Sequence, residues 1–172
     1  GDLTREEINE IMRELIGVLE IQTKRNHVEL ANSAWYPGYL QVNQEYIDRI
    51  EHHYDAQVQE LDFSSPGAVG TINDWCSDHT DGQIDHIIDQ IDEDVVMVLL
   101  NALYFNCFWE YEFDPRDTRE VPFYTEDDQL FGEVEMMSVE SDFRSLYTGD
   151  FQAVELPYRD HHFSMYIFLP RE

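Results

Sequence analysis

The stretch VVMVLLNALYF, residues 95–105, constrains the fold of this chain more than any other feature. It is apolar except for the side-chain amide of Asn101. The run is well short of the roughly 20 residues that a membrane-spanning helix needs. Apolar residues that do not alternate with polar ones are typical of a strand buried on both faces, so we predict a central strand over residues 94–105. A buried amide without partners costs about 1–3 kcal/mol, so the presence of Asn101 there requires an explanation.

The rest of the chain divides into helices followed by short strands. Thr4 and Glu7 form a capping box before an amphipathic helix over residues 5–20. A second helix is predicted over 44–54. A third is predicted with Ser65 as its N-cap, Pro66 as its first residue and Gly82 as its end. The other predicted strands are 27–36, 56–63, 121–125, 129–137, 142–147, 151–158 and 162–169. About three helices and seven or more strands indicate an α+β fold.

The charge of the chain excludes some partners. Its 37 acidic and 10 basic residues give a formal net charge of -27. Such a surface repels nucleic acid phosphates and anionic lipid, so we expect neither nucleic acid nor a membrane as a partner. We favour adaptation to a salty medium, where screening weakens self-repulsion. An acidic mimic, or a protein that captures cations, is the alternative.

No pattern of catalytic or cofactor-binding residues stands out. The sequence has no nucleophile elbow, P-loop or dinucleotide fingerprint, so we predict no enzyme activity and no cofactor. Adjacent histidines, as at His52-His53 and His161-His162, diverge by about 100° on a helix and face opposite sides of a strand. Neither pair therefore predicts a metal site, and the acidic segment 78–94 lacks the spacing of a calcium loop. Cys76 and Cys107 are interpreted as free buried thiols, with a single disulfide as the alternative.

Six segments, in order along the chain, together resemble the serpin family. The resemblance extends from about residue 5 to residue 172. The segments are ELANSAWY (29–36), INDWCSDHTDGQI (72–84), VLLNALYFNCFW (98–109), FDPRDTREVPF (113–123), VEMMS (134–138) and VELPYRDHHFSMYIFLPRE (154–172). We therefore expect incomplete serpin-like sheets in a single partial domain over 1–172. The resemblance places central-sheet strands and helices in 1–110 and strands of the smaller sheets in 111–172.

The resemblance implies a role for Asn101. In serpins an asparagine at this place belongs to the shutter, a polar cluster under the central sheet where strands part to admit the reactive loop. Trp109 resembles the tryptophan of the breach, where insertion begins, although both residues could be core residues only. Further family-motif residues are Asn32, Thr80, Gly82, Phe113, Thr118, Pro122, Phe123, Met136, Met137, Pro157, Tyr158 and Pro170. The segment NCFW (106–109) departs from the family's usual Lys-Gly-x-Trp.

The resemblance also implies a function and partners. Serpins are about twice as long as this chain, so we expect a part of a serpin without the reactive-centre loop. The parent would inhibit serine or cysteine proteases by suicide-substrate trapping, and this chain alone would not. A non-inhibitory serpin with a binding or chaperone-like role, or a truncated interaction module, is the alternative. Residues 95–105 would then form an open edge that pairs with the missing half or with another copy. The acidic first helix predicts no heparin binding, and the family favours an extracellular location.

Overall fold

In the computed structural model, which describes residues 2–23 and 25–171, the first helix begins at the predicted capping box. Helix α1 spans Arg5–Leu19, and the Thr4 hydroxyl accepts a hydrogen bond from the Glu7 backbone N–H at 3.3 Å. The Glu7 carboxylate in turn accepts from the Thr4 N–H at 2.8 Å, which lowers the pKa of Glu7. Helix α2, Gln44–Tyr54, packs against α1. Both helices lie where the sequence predicts them.

A four-stranded sheet is the centre of the first part of the chain. Its strands are β1 (Ile21–Gln22), β2 (Asn26–Tyr36), β3 (Ala56–Glu60) and β4 (Val98–Cys107). Strand β2 pairs antiparallel with β1, parallel with β3, and also with β4. The long strand β2 therefore connects all the other strands of this sheet.

Helix α3, Ala68–Asp78, supplies the core against the sheet. Ile72 and Cys76 of α3 are fully buried with Trp35 of β2 and Ala102 of β4 in one apolar cluster. This burial raises the pKa of the Cys76 thiol. Cys76 is buried and free, as predicted, whereas the Cys107 thiol is only partly buried.

Two local predictions in this part of the chain are wrong. Ser65 is not the N-cap of α3, because the helix begins at Ala68 with Gly67 as its N-cap. The Ser65 carbonyl instead accepts from the Ala68 N–H at 3.0 Å, in a turn before the helix. Strand β4 begins at Val98, and its side chains from 98 to 104 alternate between the core and solvent. It is not buried on both faces, because α3 covers only one of them.

The strands after residue 107 form two small antiparallel sheets. Strands β5 (Arg119–Tyr124) and β6 (Leu130–Met136) make one, and β7 (Ser145–Tyr147), β8 (Phe151–Pro157) and β9 (Ser164–Pro170) make the other. Three α-helices and nine strands among the described residues confirm the predicted α+β fold. The chain divides into two compact units at Asn106 and Cys107. That the whole chain is a single partial domain stays a prediction. No helix in the described part is long and apolar enough to cross a membrane.

Candidate functional site

The side-chain amides of two strands and the end of a helix form a continuous polar link. The Asn101 amide on β4 donates to Oδ1 of Asn32 on β2 at 2.9 Å. The Asn32 amide then donates to the backbone carbonyl of Tyr54, the last residue of α2, at 2.8 Å. We call these three groups the amide link. It joins β4, β2 and α2 through residues that are far apart in sequence.

The burial of the amide link differs from the sequence prediction. Asn32 is half-buried, but Asn101 is exposed rather than buried in a strand interior. It lies on the uncovered face of β4, where Leu99 and Leu103 are 62% and 56% exposed. Asn101 therefore forms its hydrogen bond without being withdrawn from water, which removes the energetic problem that its burial would pose.

A cavity of about 280 Å³ adjoins the amide link. Side chains from α2, β2, β3 and β4 surround it, and most of them are apolar. Its lining residues are Asn32, Ser33, Ala34, Tyr46, Ile50, Tyr54, Ala56, Leu99, Leu100 and Asn101. The amide link thus sits at the wall of an apolar space between the sheet and α2.

Strand β4 is also a terminal strand of its sheet. It pairs with β2 and, within residues 2–23 and 25–171, with no other strand. Leu99, Leu103 and Phe105 project exposed apolar side chains from it. A long apolar strand with an unpaired edge is a template for another strand. This arrangement can accept an extended peptide by backbone hydrogen bonding.

In the second unit, Trp109 lies against two other residues that the sequence singled out. Its ring stacks on Tyr158 with centroids 4.3 Å apart, and it meets Phe113 edge-on at 6.4 Å. The Glu110 N–H donates to the Pro157 carbonyl at 3.0 Å beside this contact. Burial, and then the nearby charge of Cys107, raise the pKa of Tyr158. The structure therefore joins Trp109, Phe113, Pro157 and Tyr158 in one cluster, whose family role stays a prediction.

Thr80 and Gly82 form a turn after α3. The buried Thr80 hydroxyl donates to the Cys76 carbonyl at 2.8 Å and accepts from the Ile84 N–H at 3.0 Å. Gly82 has φ +73°, a left-handed conformation that glycine adopts without steric cost. Helix α3 itself ends four residues earlier, at Asp78. The turn holds the following segment against the helix.

The remaining predicted residues lie on or next to strands of the second unit. Thr118 follows a short 3₁₀ turn, Pro115–Asp117, and is half-buried. Phe123 is 49% exposed on β5, and Met136 and Met137 are 43% and 59% exposed at the end of β6. Pro122 and Pro170 are exposed on β5 and β9. None of these residues lies in the amide link.

Sequence reasoning missed one buried amide that holds the segment after α3. Asn73 accepts from the N–H groups of Ile87 and Ile88 at 2.9 and 3.1 Å, and donates to the Ile88 carbonyl at 3.0 Å. It is only 8% exposed. A polar side chain between Ile72 and Trp75, on the apolar face of α3, is the sequence feature that could have identified Asn73 as buried.

That the His52-His53 pair is no metal site stays a prediction, but the structure places a third side chain of ligand type beside the pair. Ligand atoms of Glu10, His52 and His53 all lie within 4.8 Å of one another. Glu10 belongs to α1 and the histidines to α2, so packing of the two helices creates the cluster. No local sequence signal connects residue 10 with residues 52 and 53.

Comparisons with known proteins agree with the fold. The family model described as Serpin (serine protease inhibitor) matches residues 2–172. An uncharacterized serpin-like protein of Methanosarcina acetivorans is 36% identical over 149 residues, which cover 84% of this chain and 35% of that protein. Serine protease inhibitor 42Dd of Drosophila melanogaster is 34% identical over 163 residues, with 92% of this chain and 44% of that protein covered. Emu ovalbumin matches with a TM-score of 0.89 and 26% identity, over 95% of this chain and 44% of the ovalbumin chain. The chain thus spans less than half the length of these relatives.

Proposed function

Because this chain belongs to the serpin family, we propose that it forms part of a protease inhibitor that traps serine or cysteine proteases as a suicide substrate. In this mechanism the target protease cleaves a reactive loop, and the loop then inserts into the central sheet as a new strand. The observation that carries the proposal is the unpaired edge of β4, with its exposed apolar side chains. Such an edge offers backbone hydrogen bonds to an incoming strand.

In this proposal the amide link keeps β4 attached to the rest of its sheet. Insertion on the far side of β4 needs β4 itself to remain attached to β2. The bond from Asn101 to Asn32 joins these two strands, and the bond from Asn32 to the Tyr54 carbonyl joins β2 to α2. Both bonds lie on the exposed or half-exposed face of the sheet, so their partners can exchange with water. We infer that the link holds β4 in register while the neighbouring strand enters.

The acidic charge of α1 opposes the binding of a polyanion. Arg13 donates to Glu10 at 2.8 Å, so its charge is already paired. The same helix carries Glu6, Glu7 and Glu14. This surface would repel a sulfated polysaccharide, so we propose that heparin is not a partner. By family resemblance we propose an extracellular location.

Strand addition at β4 is tested with a labelled peptide. We expect a 12-residue peptide of Thr, Ala and Val to bind the chain, measured by fluorescence anisotropy in molar potassium chloride. Amide hydrogen exchange within residues 98–107 should slow when the peptide binds. The control is the same peptide with alternate backbone nitrogens methylated, which keeps the side chains but removes donors. Equal binding of both peptides would refute strand addition.

Protease trapping is tested separately. We expect the 172-residue chain alone to form no dodecyl-sulfate-stable complex with trypsin or subtilisin, since its sequence has no recognisable reactive-centre loop. The protein isolated at its natural length from its source cells should form such a complex with a target protease. A stable complex with the 172-residue chain would contradict the first expectation. Peptide binding without any trapping by the natural protein would favour the non-inhibitory alternative.

A further inference from the structure

A cluster of metal-binding side chains lies between α1 and α2, away from the edge of β4. It consists of Glu10 on α1 and His52 and His53 on α2, and we call it the helix-pair cluster. His53 is only 7% exposed, and its Nδ1 atom is buried without a hydrogen-bond partner. An unpaired buried polar atom is costly, and in native proteins it commonly marks a place where water or an ion binds.

The unpaired nitrogen faces a carboxylate oxygen. Nδ1 of His53 lies 3.5 Å from Oε1 of Glu10. The other oxygen of Glu10, Oε2, accepts hydrogen bonds from the Arg13 guanidinium at 2.8 and 3.2 Å. Arg13 thereby fixes the orientation of Glu10 and leaves Oε1 directed at His53.

A second carboxylate lies on the opposite side of the buried ring. Oε1 of Glu6 is 3.8 Å from Nε2 of His53. When Nε2 carries the proton and points it at Glu6, Nδ1 presents a lone pair towards Glu10. Carboxylates that accept from the far nitrogen of a histidine are the usual outer partners of metal-binding imidazoles. At 3.8 Å the Glu6 carboxylate does not accept a hydrogen bond from Nε2, but its side chain is exposed, and a small rotation would make it such an outer partner.

We propose that the helix-pair cluster binds one divalent transition-metal ion of the zinc class, with Glu10, His52 and His53 as ligands. Two imidazoles and one carboxylate are a common zinc ligand set, and water completes the tetrahedron. Ligand atoms of a tetrahedral zinc ion lie about 3.4 Å apart, which follows from bond lengths of about 2.1 Å. The Glu10–His53 separation of 3.5 Å already fits. Hard cations such as Mg²⁺ prefer oxygen-only ligands and are disfavoured.

The adjacent histidines reach a common point because their side chains rotate. Their rings contact each other edge-on, with centroids 4.6 Å apart, although the two residues diverge around the helix axis. His52 is exposed and free to turn, so it can close the remaining distance within the 4.8 Å cluster. The ion would then tie α1 to α2 and stabilise the first unit. This inference is independent of protease inhibition.

The test is a titration of the metal-free 172-residue chain with zinc chloride at pH 7.5 in molar potassium chloride. Calorimetry should detect one tightly bound zinc ion per chain. The melting temperature should rise by about 5–10 °C at a zinc concentration 100-fold above Kd. Magnesium chloride should produce neither effect. In ¹⁵N-labelled protein, zinc should shift the His53 Nδ1 resonance to the value of a metal-bound nitrogen.

Variants separate this cluster from other acidic and histidine-bearing surfaces. Glu10→Gln and His52→Gln alter exposed or half-exposed side chains, and each should weaken the tight site at least tenfold without changing the circular dichroism. His53→Gln should abolish it, with folding checked in the same way. The double variant His161→Gln/His162→Gln, which removes the other adjacent pair, should bind as the unaltered chain does.

Three results would overturn the proposal. The first is the absence of a tight zinc equivalent in the unaltered chain. The second is a tight equivalent that persists in both Glu10→Gln and His52→Gln. The third is a His53 ring that carries protons on both nitrogens at pH 7.5 with zinc present. That result would mean that His53 is an imidazolium paired with Glu6 and Glu10.

Discussion

Alanine substitutions in the amide link test whether the exposure of Asn101 or its predicted burial is correct. Asn101→Ala removes one hydrogen bond, from an exposed amide to Oδ1 of Asn32. Asn32→Ala removes that bond and also the 2.8 Å bond to the Tyr54 carbonyl. The structure therefore predicts unequal effects for two residues of the same type that contact each other.

The magnitudes follow from burial. A typical net hydrogen bond contributes about 1 kcal/mol, and a partner left unsatisfied in the interior adds to the loss. We expect Asn32→Ala to lower the free energy of unfolding by about 1–2 kcal/mol, because the Tyr54 carbonyl loses a part-buried donor. In Asn101→Ala, water can replace the lost donor to Oδ1 of Asn32, so this variant should lower the free energy of unfolding by less than about 0.5 kcal/mol. The double variant should match Asn32→Ala to within about 0.5 kcal/mol.

The assay is equilibrium urea unfolding in molar potassium chloride, followed by tryptophan fluorescence. With a slope of about 2 kcal/mol per molar urea, the midpoint should fall by about 0.5–1 M for Asn32→Ala and by less than about 0.25 M for Asn101→Ala. The control is Asn106→Ala, which removes an exposed amide from the same strand but outside the link. An effect of Asn101→Ala equal to or above that of Asn32→Ala would refute this reasoning, because it would mean that Asn101 is the buried partner.

Three further predictions concern charge, the sheet edge and the segment after α3. Because the net charge is -27, the melting temperature should rise markedly from dilute buffer to molar potassium chloride, and a flat or falling curve would contradict salt adaptation. Leu99→Lys adds a charge at an exposed position of β4 and should reduce self-association, measured by light scattering at high salt. Val98 packs against the core cluster, so Val98→Lys should unfold the chain. A monodisperse monomer of the unaltered chain would contradict edge pairing. Asn73→Ala removes three hydrogen bonds to Ile87 and Ile88, so it should lower the free energy of unfolding by about 2–4 kcal/mol and speed amide exchange in 84–91. The control is Asp74→Ala at an exposed neighbouring position, and an equal or larger loss in the control would refute this role of Asn73.

The sequence by itself determined the regular elements and the fold class. The capping box at Thr4 and Glu7 and the apolar period of residues 5–20 correctly place α1, since both signals depend on neighbours within one or two turns. The predicted strand 27–36 and helix 44–54 agree with β2 and α2 to within a residue. These elements carry their own patterns, so no knowledge of distant contacts is needed to predict them.

Only the tertiary structure decided which faces and side chains meet. The apolar sequence of 95–105 does not reveal whether a strand is covered on one face or two, because that depends on what packs against it; here α3 covers one face and Asn101 lies on the other. The bond from Asn101 to Asn32 joins residues 69 positions apart, and the cluster of Glu10, His52 and His53 forms only where two helices pack. Helix periodicity even argued against that cluster, because it fixes the direction of the Cβ atoms but not the rotation of the rings beyond them. Residue pattern is local, whereas burial and the convergence of distant side chains follow from packing.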